Sequence, residues 1–207
     1  MPFITPTLAG QTLRRTRQLW HGAPNTRKTT ALLTTPAPRA ILSYPGEKGY
    51  DTIPLDDPDT KPFIWEVDDK VPNSAQVIGQ VEALTIDLIT GKHGNIASFC
   101  GDGIHKLFDY YLDVASDGNY FAGLQIDGRR AYPRAYGMFK EYLSRVCHTR
   151  VPVVVFTCWS ALEKDRQKKA GETDTMYADG VPSHLYPDLP GQLAKGMMGE
   201  FSVVVYQ

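Results

Sequence analysis

The chain has 207 residues, of which 42% are hydrophobic, 22% are charged and 11% are aromatic, and its formal net charge is −1. This composition is typical of a soluble globular protein, and the length is ample for one domain with a full hydrophobic core. It excludes a collagen, a coiled coil, a largely disordered chain and a small disulfide scaffold, for which three cysteines are too few. Because the chain has no net positive charge, any nucleic-acid contact has to come from a local basic patch.

The cysteines indicate a reducing compartment. Cys100, Cys147 and Cys158 do not have the spacing of a zinc site, and their odd number leaves at least one outside a disulfide. Cys100 and Cys158 lie in apolar runs, which favours buried thiols and a cytoplasmic protein. The first residues do not resemble a signal peptide, and no run approaches the roughly 18 apolar residues of a membrane span, so no membrane partner is expected.

The N-terminal part predicts an arm followed by alternating elements. Residues 1–17 are polar and proline-containing and are interpreted as the arm, and residues 18–207 as the core. The core begins with a short apolar stretch at residues 18–20. A buried strand is predicted over Ala40–Ser43. Residues 54–73 are rich in Asp and Pro and are interpreted as a surface insertion with one edge strand.

The middle of the chain predicts two helices around a strand. Apolar residues at helical spacing predict a helix that Asn73 or Ser74 caps and Gly91 closes. The next strand is predicted over residues 95–100, and an apolar stripe then predicts a helix over residues 104–115.

The C-terminal part adds the strongest strand. A helix is predicted to start near Arg134, and the apolar run at residues 152–159 is typical of a central parallel strand. Residues 160–186 are a long polar connection. A short helix at residues 192–198 and a strand at residues 201–206 follow. The alternation predicts an α/β fold with a mostly parallel sheet flanked by helices, and we expect the chain to end before the fold's last elements.

A near match to the phosphate-binding loop pattern G-x-x-x-x-G-K-[ST] lies between the first strand and a helix-forming run. Backbone N–H groups of such a loop surround phosphate oxygens, Lys28 would reach the β- and γ-phosphates, and Thr29 would hold Mg²⁺. The alternative is a surface turn before a helix. Arg27 stands where the pattern has glycine, which predicts slow hydrolysis. The predicted nucleotide-binding residues are Gly22, Ala23, Pro24, Asn25, Thr26, Arg27, Lys28, Thr29 and Thr30.

Two carboxylates follow predicted strands. Asp102 closes the strand before the second helix, where it either holds Mg²⁺ with Thr29 or caps the helix that begins at Ile104. Glu47 lies just past the strand Ala40–Ser43. It is either the catalytic base that activates water or a solvated turn residue.

Hydroxyls and basic residues near the strongest strand complete the candidates. Thr157 and Ser160 either sense the γ-phosphate or are satisfied within the sheet. The five histidines lack paired metal-ligand spacing, which favours a structural role for His105. A basic cluster in the long connection, extended by arginines at 129, 130 and 134, is either a track for single-stranded DNA or a solvated loop. The cluster consists of Lys164, Arg166, Lys168 and Lys169.

The order of these features resembles the RecA-like P-loop ATPases. Three blocks, GDGIHKLFDYYLD, VPVVVFTCWSALEKD and HLYPDLPGQLAKGMMGEFSVVVY, are similar to phage-encoded nucleotide-binding proteins of that class, the phage RecA-like single-strand annealing or AAA-type group. The resemblance covers residues 18–206. It implies that Gly22, Lys28 and Thr29 bind nucleotide, that Asp102 is the magnesium-side acid, and that Glu47 is the catalytic glutamate.

The resemblance also implies a function. It implies an ATP- and Mg²⁺-dependent phage ATPase that acts on single-stranded DNA in recombination or replication, in the host cytoplasm, with ring or filament assembly. The basic cluster after Trp159 lies where relatives contact single-stranded DNA. Two rival hypotheses remain: a scaffold with a degraded loop that does not hydrolyse nucleotide, favoured by Arg27, and a small-molecule phosphotransferase, for which no specific signal is present.

Overall fold

A computed structural model describes residues 15–23, 25–47, 59–64, 73–162, 185–187, 201 and 203–206. The strands are β1 (Thr16–Gly22), β2 (Arg39–Ser43), β3 (Thr60–Ile64), β4 (Ser98–Asp102), β5 (Val153–Leu162), β6 (Leu185–Pro187) and β7 (Val203–Tyr206). The helices are α1 (Lys28–Ala31), α2 (Ser74–Ile89), α3 (Ile104–Ala115) and α4 (Gly128–Cys147), and a 3-10 turn at Leu32–Thr34 continues α1.

The strands form a sheet in the order β3-β2-β4-β5-β1-β7, and each neighbouring pair in this order is parallel. β6 pairs with β5 in the antiparallel direction. This confirms the predicted α/β class, the central position of β5 and the terminal position of the strand inside the 54–73 insertion. Since β5 separates β1 from β4, the loop after β1 and the acid that ends β4 lie on either side of one strand.

The two faces of the sheet bury different side chains, as the alternation along each strand requires. Helices α2, α3 and α4 pack on one face, where Leu42, Phe99 and Phe156 are buried among their apolar side chains. On the other face, Ile41 and Cys100 pack with Leu32 of the turn after α1. Central strands covered on both sides explain why β5 reads as a nearly continuous apolar run.

Helix α2 confirms the sequence prediction closely. Asn73 is its N-cap, and the side-chain oxygen accepts a hydrogen bond from the N–H of Ala75 at 2.8 Å. Val81 and Leu88 are buried at the predicted helical spacing. Gly91 has φ +82° just beyond the end of the helix, in the left-handed region that favours glycine.

Several predicted boundaries are wrong. Strand β1 begins at Thr16, because Arg17 belongs to the sheet and is buried beneath the end of α4, where its guanidinium donates to main-chain carbonyls. Strand β4 lies three residues later than its predicted start. Helix α4 begins at Gly128 rather than near Arg134, since Asp127 caps it and Pro133 is accommodated inside the helix. Residues 1–14 of the predicted arm (1–17), and the predicted helix at residues 192–198, lie outside the described residues.

Candidate active site

The loop between β1 and α1 keeps a tight left-handed conformation. Arg27 has φ 60° and ψ 26°, and Asn25 has φ 65°. Arg27 therefore adopts the backbone region that glycine normally supplies, although an L-residue loses roughly 1–2 kcal/mol there. Helix α1 has only four residues, so the helix dipole expected behind the loop is short.

The side chain of Lys28 folds back into the loop. Its Nζ donates to the carbonyls of Gly22 at 3.0 Å and Ala23 at 2.7 Å, and to the hydroxyl of Thr26 at 3.2 Å. The lysine is only 7% exposed. Burial lowers the pKa of Lys28, and the nearby charges of Asp102 and other acidic groups partly oppose this shift. A buried ammonium whose hydrogen-bond partners within the described part of the chain are neutral oxygens is a favourable site for an anion.

Asp102 is held by hydroxyls from two different elements. The hydroxyl of Thr29 donates to Oδ2 at 2.6 Å, and the hydroxyl of Thr157 on β5 donates to Oδ1. The Thr157 oxygen in turn accepts the N–H of Gly103 at 2.8 Å. The register of β4 and β5 explains the contact between Thr157 and Asp102. Phe156 pairs with Gly101, so the next residues on the two strands, Thr157 and Asp102, are also neighbours. The structure thus joins the loop threonine to a carboxylate 73 residues away.

The geometry distinguishes between the two interpretations of Asp102. Helix α3 has Gly103 as its N-cap and no side-chain cap, so Asp102 does not cap it. Burial raises the pKa of Asp102, against which the hydrogen bonds from Thr157 and Thr29 and the charge of Lys28 act. Because Asp102 is only 2% exposed, burial makes its charged form costly, and the two donated hydroxyl hydrogen bonds offset part of that cost. A nearby cation would favour its charged form.

Glu47 lies against the start of α3. Glu47 is half-buried. A Cβ added at Gly103 would lie 2.8 Å from the Oε2 atom of Glu47 and 2.9 Å from the Cβ atom of Glu47. Gly103 also has φ +80°. Two features therefore favour glycine at position 103: the left-handed backbone conformation and the close approach of the Glu47 side chain.

One cavity brings the predicted residues together. It has a volume of about 240 Å³ and receives side chains from the loop, the turn after β2, the end of β4 and β5. Its lining residues are Asn25, Thr26, Arg27, Lys28, Thr29, Thr30, Glu47, Asp102, Thr157 and Trp159. Loop residues, both carboxylates and Thr157 are therefore neighbours around one space, although the sequence places them in four separate segments.

The cavity wall includes an aromatic group that the sequence analysis did not assign. Trp159 stacks at a tilt with His105, with ring centroids 4.7 Å apart, and the Lys106 ammonium lies 4.6 Å from the Trp159 ring centroid. His105 is 6% exposed, and burial lowers its pKa to about 3. A neutral, buried imidazole agrees with the predicted structural role. The sequence signal for Trp159 is its place at the end of the apolar run that predicts the central strand.

Some predicted site residues are not placed by the structure. Pro24 and the basic cluster Lys164, Arg166, Lys168 and Lys169 lie outside the described residues. Ser160 falls on β5, but only its backbone pairing is described. Thr157 is hydrogen-bonded to Asp102, which is the satisfied state expected of a hydroxyl within the sheet.

Three further findings concern membrane spanning, metal binding and similarity to other proteins. No helix in the described part is long and apolar enough to cross a membrane. Among the same residues, no group of three or more His, Cys, Asp or Glu side chains is arranged to hold a metal ion. Comparison of the sequence with protein-family models and with curated proteins finds no match.

Proposed function

We propose that this protein binds ATP with Mg²⁺ in the cavity beside Lys28 and hydrolyses it, as a RecA-like P-loop ATPase of phage type. The single observation that supports this most strongly is the hydrogen bond from Thr29 to Asp102. A simple surface turn would not require a hydrogen bond between its threonine hydroxyl and a buried carboxylate at the end of another strand. A nucleotide site requires both on the same side of the phosphates.

The charges of the cavity fit a triphosphate. The hydrogen-bond partners of the buried Lys28 ammonium, among the described residues, are carbonyl and hydroxyl oxygens, and phosphate oxygens would offer it charge-assisted hydrogen bonds. Arg27 also lines the cavity and adds a second positive charge. Asn25 and Arg27 both have left-handed backbone conformations, which are common in turns whose N–H groups bind anions.

The donor set fits Mg²⁺. The Thr29 hydroxyl and the Asp102 carboxylate are hard oxygen donors, and Mg²⁺ characteristically takes one or two carboxylates together with substrate phosphates and water. When bound, the ion would neutralise charge on the phosphate oxygens. Thr157 fixes the orientation of Asp102 from the opposite side, and Gly103 fixes Thr157.

Glu47 is the proposed base. It lines the same cavity as Lys28 and belongs to the turn after β2. A carboxylate there would orient the attacking water and accept its proton. The contact with Gly103 restricts where this side chain rests.

The partner of the proposed ATPase is single-stranded DNA, and ring or filament assembly belongs to the same proposal. Its support is the basic cluster at residues 164–169, which follows β5 directly in the sequence. Trp159 lies on that strand and lines the cavity, so β5 connects the nucleotide to the segment that carries the cluster.

A substitution of Lys28 tests the proposal. Lys28→Ala removes the buried ammonium and is expected to weaken binding of a fluorescent ATP analogue at least tenfold, because hydrogen bonds to charged groups contribute roughly 1.5–3 kcal/mol each. Lys92→Ala is the matched control, since Lys92 is an exposed lysine paired with Asp87 beyond α2. Melting curves of both variants check folding. ATP affinity in a folded Lys28→Ala protein equal to that of Lys92→Ala would refute the phosphate-loop assignment.

The second candidate is a scaffold that binds nucleotide without hydrolysing it. The left-handed Arg27 favours it, because a Cβ at this position keeps the backbone farther from the phosphates than glycine would. Single-turnover hydrolysis measured with and without single-stranded DNA separates the two candidates. Binding without turnover under both conditions supports the scaffold.

A further inference from the structure

The turn after β2 ties the proposed base to a residue that the site does not otherwise use. It consists of residues 44–47, and the N–H of Glu47 donates to the carbonyl of Tyr44 at 3.0 Å, which closes the turn. Pro45 and Gly46 are its central residues, and Gly46 has φ +83°. Proline followed by a residue with positive φ is the pattern of a type II turn, and proline fixes its own φ. The position of Glu47 therefore follows that of Tyr44.

Tyr44 also joins this turn to β4. Its N–H donates to the carbonyl of Asp102 at 3.0 Å, so the backbone of one residue bonds to both carboxylate residues of the site. Its side chain approaches the strand closely, because a Cβ added at Gly101 would lie 2.6 Å from the Tyr44 hydroxyl oxygen. Glycine at position 101 leaves room for the tyrosine immediately before Asp102. The placement of Tyr44 therefore affects Glu47 and Asp102 together.

The Tyr44 hydroxyl belongs to a buried chain of hydrogen bonds. It lies 2.7 Å from the hydroxyl of Tyr142 on α4, which lies 3.1 Å from the hydroxyl of Thr85 on α2. All three side chains are buried, and burial raises the pKa of both tyrosines, so their hydroxyls stay protonated. The two rings also pack edge to face, with centroids 6.4 Å apart. We call Tyr44, Tyr142 and Thr85 the hydroxyl chain.

The hydroxyl chain does more than fill space. A phenylalanine ring would occupy nearly the same volume as Tyr44 without placing a polar atom in the core, where a hydroxyl is unfavourable unless it is hydrogen-bonded. A fully bonded buried network specifies one arrangement of its elements. The hydroxyl chain therefore fixes Tyr44 against two helices, and the turn transmits that position to Glu47.

We infer that Tyr44 is a positioning residue of the candidate active site, whose hydroxyl fixes the turn that carries Glu47 against α2 and α4. The inference deepens the proposed function and rests on it for the role of Glu47. Tyr44 is not among the described residues that line the nucleotide cavity, so it acts through Glu47 and the backbone of Asp102. A general base has to lie within hydrogen-bond reach of the attacking water. Displacement of the turn therefore lowers the hydrolysis rate more than the ATP affinity.

Tyr44→Phe tests the inference, because it removes the hydroxyl and keeps the ring. Single-turnover hydrolysis is expected to slow about 10- to 100-fold, since a misplacement of about 1 Å can cost on the order of a hundredfold. Affinity for the fluorescent ATP analogue should change little. Tyr111→Phe is the matched control, because the Tyr111 hydroxyl on α3 donates to Glu82 on α2 at 2.6 Å, outside the hydroxyl chain. Both variants should lower the Tm by about 2–4 °C, and only Tyr44→Phe should slow hydrolysis.

Amide hydrogen exchange in the nucleotide-free protein reports on the turn without relying on hydrolysis. Peptides that span residues 44–47 are expected to exchange faster in Tyr44→Phe than in Tyr111→Phe or the unmodified protein. The reason is that the N–H groups of Tyr44 and Glu47 close the bonds to Asp102 and across the turn. Equal exchange of these peptides in the two variants would overturn the inference.

Tyr142→Phe breaks the same hydrogen bond from the other side. It is expected to slow hydrolysis as Tyr44→Phe does, and the double variant should be no slower than the slower single variant, because both changes remove one shared contact. The double variant should also be more stable than Tyr142→Phe, which leaves the Tyr44 hydroxyl buried without this partner. Slow hydrolysis in the more stable protein separates positioning from stability. Rate losses that multiply in the double variant would contradict a shared contact.

The inference and the proposed function fail in different ways. If the unmodified protein binds ATP without hydrolysing it, the proposed hydrolysis is wrong, and the exchange comparison still decides whether the hydroxyl chain fixes the turn. If the unmodified protein hydrolyses ATP and Tyr44→Phe does so as fast as Tyr111→Phe, the inference alone is wrong.

Discussion

Arg27 combines backbone strain with a charge inside the candidate site. Its left-handed backbone is unfavourable for an L-residue by roughly 1–2 kcal/mol, yet Ala31 N–H still bonds to its carbonyl at 2.9 Å and α1 starts directly after it. A loop shifted away from the left-handed region would avoid this strain. The structure shows the left-handed conformation instead, so the strain is retained in the fold.

Two substitutions at this position separate strain from charge. Arg27→Gly is expected to be more stable than Arg27→Ala by about 0.5–1 kcal/mol, since only glycine relieves the left-handed strain and part of that gain is lost to its chain entropy. Both variants lose the guanidinium and should lose ATP affinity equally. Single-turnover hydrolysis should be faster in Arg27→Gly, because the backbone can approach the phosphates.

Thermal melts, equilibrium binding and single-turnover rates on the three proteins make this comparison. A slower rate in Arg27→Gly than in the unmodified protein would identify Arg27 as a catalytic group. The interpretation of Arg27 as a defect in the loop would then be wrong.

At the scale of elements, the junction of β4 and α3 organises the site. Asp102 ends the strand, Gly103 turns the chain with φ +80°, and α3 begins at Ile104. The N–H of Gly103 is fixed by Thr157 on the neighbouring strand, and Glu47 from the turn after β2 rests on the glycine. Three elements therefore meet at a residue without a side chain.

A glycine pair tests this junction. Gly103→Ala and Gly118→Ala both place a Cβ at φ near +80°, and each is expected to lose about 1–2 kcal/mol of stability. The Cβ at Gly118 meets open space, whereas the Cβ at Gly103 meets Glu47. Gly103→Ala alone should therefore slow single-turnover hydrolysis, because it displaces the proposed base.

Melting curves give the shared stability loss, and hydrolysis rates give the difference between the two variants. ATP affinity is expected to change little in either, since the loop is untouched. If Gly103→Ala hydrolyses ATP as fast as Gly118→Ala, the position of Glu47 does not limit the reaction.

Across the whole molecule, local patterns predicted the elements better than they predicted boundaries. The cap at Asn73 and the apolar repeat of α2 are local signals, and both are confirmed. The start of α4 was placed too late because Pro133 resembles a helix boundary, whereas the cap is Asp127, six residues earlier. The membership of Arg17 in β1 depends on carbonyls more than 130 positions away, which no local pattern encodes.

The site was predicted in part for the same reason. The loop, Asp102 and Glu47 each follow a strand, and parallel strands bring their carboxyl ends to one edge of the sheet. The local sequence was compatible with Asp102 as a helix cap or as a metal ligand. The tertiary contact with Thr29 favours the metal-ligand interpretation. The roles of Gly103 and Trp159 depend on packing between separate elements, so spacing alone did not identify them.

The central claim is that Lys28, Thr29 and Asp102 form one site for a nucleotide and Mg²⁺. The most direct test is calorimetric titration of ATP with and without Mg²⁺, on the unmodified protein and on Asp102→Asn, which removes the carboxylate charge at nearly constant side-chain shape. We expect Mg²⁺ to strengthen ATP binding about 5- to 150-fold in the unmodified protein, the usual range for coupled ligands, and to have little effect in Asp102→Asn. Absence of ATP binding, or an equal Mg²⁺ effect in both proteins, would contradict the claim.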